Sequence, residues 1–389
     1  MALPKVSIIT PSFNNARYIQ KTIESVLSQD YHPMEYIIVD GESTDNTIEI
    51  LNTYDNRIHW ISEPDNGMTE ALNKGFRMAE GEYLGWINAD DLYATRAVAM
   101  SIEFLVSNPE AAAVYSNGEL IDQDGNFIKP LIARKFSLKE LLLGNYYICQ
   151  PTLFFRRKIL EQLGWLDEQF PQFTMDLDLL LRLGLNYKIG YNNSLGASFR
   201  IHELSKTISQ QTANHSEKIS TLKKFFNSKN LPVEYLNLRS KSLALAYLNG
   251  ACQYYNFDQI KHAKENLTEA NSYCSEIIKD PDILLPAVVG SLPYGLDPLP
   301  MLNRFFENLP SELKYLRMYR NRAINLASIA SAFQAHQEGN QAQVRKNLLS
   351  AVIRKPSWLT NRGVLSIGLE SILGVQNFQV LRKIISLHD

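Results

Sequence analysis

Cysteine is scarce in this chain. Only Cys149, Cys252 and Cys274 occur in 389 residues, with no CxxC spacing. That argues against a disulfide framework or a thiolate zinc site and suits a reducing cytosol. An excess of charge of one sign is also lacking, and the net charge of −2 gives no reason to invoke nucleic acid. Long apolar runs are missing as well. The most apolar late stretch, residues 283–302, holds Pro286, Pro293, Pro298, Pro300 and Asp297, so no spanning helix is expected there. Residues 1–5 lead into a strand too soon for a secretory leader. The expected location is the cytoplasm, with the inner face of the membrane as a peripheral site.

What the chain has is ordinary globular composition, 45% apolar and 21% charged. Its length makes two domains the default. The most telling stretch is Asn88-Ala89-Asp90-Asp91, directly after the apolar run Tyr83-Leu84-Gly85-Trp86-Ile87. Adjacent carboxylates repel each other. A hard divalent cation relieves that repulsion and, as Mg²⁺ or Mn²⁺, could neutralise a diphosphate leaving group. The plain alternative is an Asp-rich turn capping the helix expected near Ala94.

The surrounding pattern is regular. Apolar strands are expected at residues 6–10, 36–39, 58–61 and 83–87, alternating with short helices, among them one carrying Tyr18, Ile19, Ile23 and Val26 at helical spacing. Such alternation argues for a mainly parallel sheet. Asp40, Asp65, Asp90 and Asp91 each fall just past a strand's carboxyl end, where open α/β sheets bind ligands.

The stretches VSIITPSFNNARYIQKTIESVLSQ, EYIIVDGESTDNT, SEPDNGMTEALNKGFRMAEGEYLGWINADD and TMDLDLLLRLG, in that order and spacing, resemble family 2 glycosyltransferases with the GT-A fold over residues 4–205. The resemblance implies an α/β nucleotide-diphospho-sugar transferase domain and inverting transfer of a hexosyl or N-acetylhexosaminyl group from a UDP-sugar. The implied acceptor is a glycan or lipid-linked glycan, as in surface-polysaccharide biosynthesis. Asp40 then accepts from uracil N3–H, Thr10, Pro11 and Phe13 flank the base, and Asp65 and Lys74 line the nucleotide. Asp90 and Asp91 correspond to metal and ribose carboxylates, and His202 in Arg200-Ile201-His202 to a further metal ligand, for Mn²⁺ or Mg²⁺. Gln150 matches the acceptor side. Ser205, Lys206 and Thr207 belong to a loop over the diphosphate. Asp176 matches the catalytic base, which must take the acceptor hydroxyl's proton. Two departures stand out: Asn88 replaces a common Asp, and Met175 replaces the Glu that usually precedes the base. Asp178 is the rival base. On a helix, residues two apart point in different directions, so one of the two faces the site. Lys74 has a plain reading as a solvated helix residue.

Two other classes compete. A nucleotidyltransferase usually needs a Gly-rich basic loop near its start, yet residues 10–16 hold neither Gly nor Lys. An inactive transferase-like scaffold would be expected to lose Asp90, Asp91 or Asp176, and all three are present.

The division expected is 1–210 for the transferase domain and 211–389 for an all-α domain. Residues 251–270 can be laid over 332–351, each copy an Ala/Leu-rich helix pair, like tetratricopeptide hairpins but with a spacing of 81. Residues 280–300, rich in Pro and Gly, read as a long loop. The final helix pairs Val380, Leu381, Ile384 and Ile385 with Arg382 and Lys383, a face that suits an anionic leaflet or ordinary packing. A protein partner is the other role expected of this half.

Overall fold

The computed structural model describes residues 3–54, 56–145, 148–170, 173–202, 211–291 and 297–374. The calls on Ser205, Lys206 and Thr207 and on the final helix lie outside the described residues. The chain divides into two compact units, Met1–Ser242 and Leu243–Asp389.

In the first unit the strands are β1 Val6–Ser12, β2 Met34–Asp40, β3 His59–Ser62, β4 Tyr83–Trp86, β5 Leu92–Tyr93, β6 Ala111–Ile121, β7 Phe127–Leu131, β8 Phe154–Arg156 and β9 Lys188–Arg200. They form one sheet in the order β3-β2-β1-β4-β8-β6-β9-β5, with β7 on β6. The part read from sequence, β3 to β4, is parallel throughout. Beyond it the sheet is mixed, because β8 runs antiparallel to both β4 and β6 while β6 and β9 are parallel. Tyr36 to Val39 of β2 and Ile8 and Ile9 of β1 are all buried, as strands covered on both faces must be.

β1 runs to Ser12, two residues past the expected end at Thr10. Ile9 accepts from Ile87 N–H, so Ile9 and Pro11, two residues on, turn their backbone groups toward β4. Pairing with β4 ends at Ile9–Trp86. Proline's missing N–H therefore leaves no ladder bond unmade.

The helices of this unit that matter for the site are α1 Ile19–Leu27, α2 Thr47–Asn52, α3 Met68–Met78, α4 Ala97–Ser107, α5 Leu138–Leu142, α6 Arg157–Gln162, α7 Met175–Asn186 and α8 Gln211–Phe226. The helix after the Asp pair starts at Ala97 rather than Ala94, because β5 intervenes.

The second unit is helical. Helices Arg239–Asn256 and Ile260–Tyr273 recur as Arg320–Gln337 and Gln341–Arg354, the same lengths displaced by 81 residues. The left-handed residue at each turn also matches, Asp258 at φ 59° and Gly339 at φ 72°. The long loop expected over 280–300 is corrected: helices Pro281–Gly290 and Pro298–Glu307 occupy most of it. Pro281 and Pro298 sit at first helical positions, where proline's missing N–H costs nothing. Asp280 and Asp297 cap them by accepting from Asp282 N and Leu299 N. Pro286 lies in the interior of the first of these helices. Among the described residues, no helix is long and apolar enough to cross a membrane.

Candidate active site

The turn after β4 carries the two adjacent carboxylates, and register brings β9 to it. Leu92 pairs with Ser198 antiparallel, so continuing the ladder sets Arg200 opposite Asp90. Arg200 is almost fully buried and clasps the turn. Its backbone N–H donates to Asp91 Oδ1 at 2.9 Å and its Nε to the Asp90 carbonyl at 2.8 Å. Thr22 Oγ1 bonds the carbonyls of Ala89 and Asp91 from α1, at 2.9 and 2.8 Å.

The two carboxylates diverge. Asp91 is buried, with Oδ2 taking a bond from Asn88 Nδ2 at 3.2 Å. Burial first, then the charge of Asp90, pushes its carboxyl well above the ordinary range, against the pull of the Arg200 N–H. Asp90 is more open and meets His202, Oδ2 to Nε2 at 3.0 Å. The His202 ring lies against Tyr18, centroids 4.7 Å apart, and the Arg200 guanidinium stands 5.0 Å from the centre of the same tyrosine ring. Of the three residues expected around a metal, the structure joins Asp90 and His202, while Asp91 is held by backbone and amide. Among the described residues no group of three His, Cys, Asp or Glu side chains converges. Tyr18 was read from sequence only as a helix residue.

The ends of β1, β2 and β3 form a second cluster. Asp40 is fully buried. Its Oδ1 accepts Ser43 Oγ at 2.5 Å, and its Oδ2 accepts Ser43 N and Ser62 Oγ at 2.8 and 2.9 Å. Gly41 permits this crowding, since a Cβ there would sit 2.7 Å from Asp65 Oδ2. Asp65 Oδ1 also takes Gly67 N–H at 2.8 Å, at the start of α3. The loop after β1 is tied to the loop after β2. Asn14 N donates to Ser43 Oγ at 2.8 Å, and Asn14 Oδ1 takes Thr44 N at 2.8 Å. Asp45 accepts Ala16 N and Thr47 N, both at 3.0 Å. Burial would raise the Asp45 carboxyl, but these bonds and that of the Thr47 hydroxyl hold it below its usual value. On this pinned loop Phe13 is 59% exposed. Thr10, by contrast, is fully buried in the β1–β2 ladder, its hydroxyl on Tyr36 Oη at 2.9 Å. Lys74 Nζ bridges Glu63 and Glu70 at 2.9 and 3.1 Å and thus fastens the β3–α3 loop.

The third cluster begins α7. Loop residues leading to it are anchored on α3: Thr69 Oγ1 donates to the Phe170 carbonyl at 2.6 Å and Asn73 Nδ2 to that of Leu166 at 3.0 Å. Asp176, in the first turn, takes the Leu177 N–H at 2.7 Å. Burial, and more weakly the charge of Glu217, raises it to about 6. Asp178 points elsewhere. It is buried in ion pairs with Arg182 at 2.7 Å and Lys224 at 3.2 Å, and Arg182 also holds the carbonyls of Leu163 and Trp165. Glu217 of α8 caps α7 by accepting from Phe173 N, Thr174 N and Thr174 Oγ1. Sequence reading missed Glu217, which lies 41 residues beyond Asp176 with no spacing signal. Gln150 donates Nε2 to the Trp86 carbonyl at 3.1 Å, at the end of β4, while its buried Oε1 has no partner among the described residues.

Residues 7–164 match glycosyl transferase family 2. An uncharacterised glycosyltransferase of Rickettsia felis is 29% identical over 231 residues, which is 56% of this chain. The chain spans 37% of that relative's length. Chondroitin synthase of Pasteurella multocida is 34% identical over 129 residues, covering 32% of this chain and 13% of the synthase. The mannosyltransferase PcManGT of Pyrobaculum calidifontis, solved with GDP-Man and Mn²⁺, superposes with a TM-score of 0.53 over 90% of this chain and 88% of its own, at 16% identity. Motifs, sheet topology and these matches agree: the chain carries a glycosyl transferase family 2 domain on the GT-A fold.

Proposed function

We propose that this domain transfers the sugar of a UDP-sugar, with inversion, to a hydroxyl of a glycan or lipid-linked glycan acceptor in surface-polysaccharide assembly, in the cytoplasm or at the inner face of the membrane. The observation that carries the reading is the Asp90–His202 pair, 3.0 Å apart beyond the end of β4. A carboxylate oxygen beside an imidazole nitrogen is a donor set that fits Mn²⁺, and Mg²⁺ through the carboxylate. Asp90 and His202 are the residues that would hold the ion, and Asp91 stiffens the turn. A divalent cation held there would neutralise charge on the diphosphate leaving group.

The remaining roles belong to the chain's own groups. Each carboxylate oxygen has two lone-pair sites. Asp40 Oδ2 has both filled and Oδ1 has one left, which suits a single ring N–H such as uracil N3–H. Phe13 offers the base an exposed ring on a pinned loop. Asp176 takes the acceptor hydroxyl's proton, since a carboxylate raised to about 6 is a better base than an ordinary one and is still ionised at neutral pH. Gln150 offers its unpartnered Oε1 to an acceptor hydroxyl. The Pasteurella synthase, a polysaccharide-forming relative by name, supports a glycan acceptor.

The test is release of nucleoside diphosphate from UDP-, dTDP- and GDP-sugars with oligosaccharide acceptors, in Mn²⁺ and in EDTA. Turnover confined to UDP-sugars and metal supports the reading; turnover with GDP-sugars alone removes Asp40 from its role.

A further inference from the structure

The second unit repeats its own helical frame, and the two copies differ in one chemically consistent way. At the offset of 81, Ala244, Tyr273, Cys274 and Ile277 of the first copy become Asn325, Arg354, Lys355 and Trp358 of the second. In the first copy these positions are apolar core or packed against it. In the second, all four line a cavity of about 690 Å³. That lies within the roughly 300–1,000 Å³ usual for ligand sites.

The cavity is built to be polar on one side. Asn325 is buried and bonded at both ends of its amide: Nδ2 donates to the Ala351 carbonyl at 2.7 Å and Oδ1 accepts the Trp358 indole N–H. The indole is thereby locked in orientation. Lys355 Nζ lies 5.5 Å from the centre of the Trp358 ring. Arg354 contacts only Ser350 of its own helix, and no ion pair reaches Arg354 or Lys355 among the described residues. Arg322 completes the rim, paired with Asp282. Both partners are more than half exposed, so the pair is weak and opens readily. Three cations against one carboxylate give the cavity a local charge of about +2, while the whole chain carries −2.

We propose that this cavity of the helical unit is a binding site for an anionic carbohydrate, a glycan segment bearing carboxylate or phosphate. Arginine forks match both anions bidentately, and the fixed indole and Leu285 and Leu326 give apolar surface to the C–H faces of a sugar. Such a site would retain a growing acceptor between transfers. The inference rests on the glycan-acceptor reading, but it is tested without turnover.

Binding of a glucuronate-containing hexasaccharide and of phosphorylated maltohexaose is measured on the full chain by calorimetry, with neutral maltohexaose, inorganic phosphate and anionic vesicles as controls. The expected result is binding of at least one anionic oligosaccharide, at least tenfold tighter than either small control. The exposed double variant Arg354→Gln/Lys355→Gln weakens it at least tenfold, and Trp358→Phe weakens it less. Unchanged melting temperatures and unchanged UDP binding show that both variants remain folded. Equal affinity in the double variant, no binding of either anionic oligosaccharide, or preference for vesicles would overturn the proposal. Loss of sugar transfer alone, with oligosaccharide binding intact, would count against the catalytic reading and leave this site standing.

Discussion

Asp176 and Asp178 stand two residues apart and carry opposite expectations. Replacing Asp176 by Asn should lower transfer by about 10²–10⁴-fold, the usual contribution of a positioned base, with melting temperature and UDP affinity retained. Replacing Asp178 by Asn should act on stability first. It leaves Arg182 and Lys224 without their buried partner, at a cost of about 1–3 kcal/mol, tempered because both cations are partly solvated. Denaturant titration of the two variants separates these effects. With Asp176 in the proposed role of ionised base and sitting at about 6, transfer by the native chain should rise with pH through about 6 and then level off. An acid limb near the ordinary carboxylate value would contradict the assignment. Helical spacing made legible only that the two residues cannot both face one site; the preference for Asp176 came from its position in the resemblance. That Asp178 ties α7 to Lys224 was not legible, since Lys224 comes from another helix.

At the scale of the element, α7 depends on a cap from outside itself. Glu217→Ala should cost about 1 kcal/mol through the lost N-terminal bonds, read as a lowered unfolding midpoint. Glu217→Gln keeps an accepting oxygen but removes the charge that helps raise Asp176. Its acid limb should move to slightly lower pH with little loss of stability. An acid limb unmoved in Glu217→Gln would place Glu217 outside the base's electrostatics. The strands before residue 90 could be read from sequence because each is a short apolar run, alternating with helices. β6 and β9, which carry Arg200 to the Asp pair, could not. Strand β9 alternates loosely and is largely half-exposed, so no buried run marks it. The helices at Pro281 and Pro298 were missed because proline reads as a breaker unless its place at the first helical position is recognised.

For the whole molecule, two compact units predict unfolding that is not two-state. Calorimetry should show two transitions, with UDP and Mn²⁺ raising only the one that belongs to the transferase unit. A ligand at a hundredfold excess over Kd stabilises its unit by about 2.7 kcal/mol. A single transition that shifts as one would show the units to be energetically coupled. The repeat behind the second unit was visible as matching Ala, Asn and Leu positions. Its cavity was not, because the residues that line it differ between copies, and difference carries no signal until the copies are superposed.

The central claim is that Asp90 and His202 form a metal-dependent nucleotide site. The most direct test is the thermal shift given by UDP in Mn²⁺ and in EDTA, for the native chain and for Asp90→Asn. The account predicts a clear rise with UDP and Mn²⁺ in the native chain, little with EDTA, and little for Asp90→Asn in either condition. A rise of equal size in EDTA, or one that survives in Asp90→Asn, would contradict it.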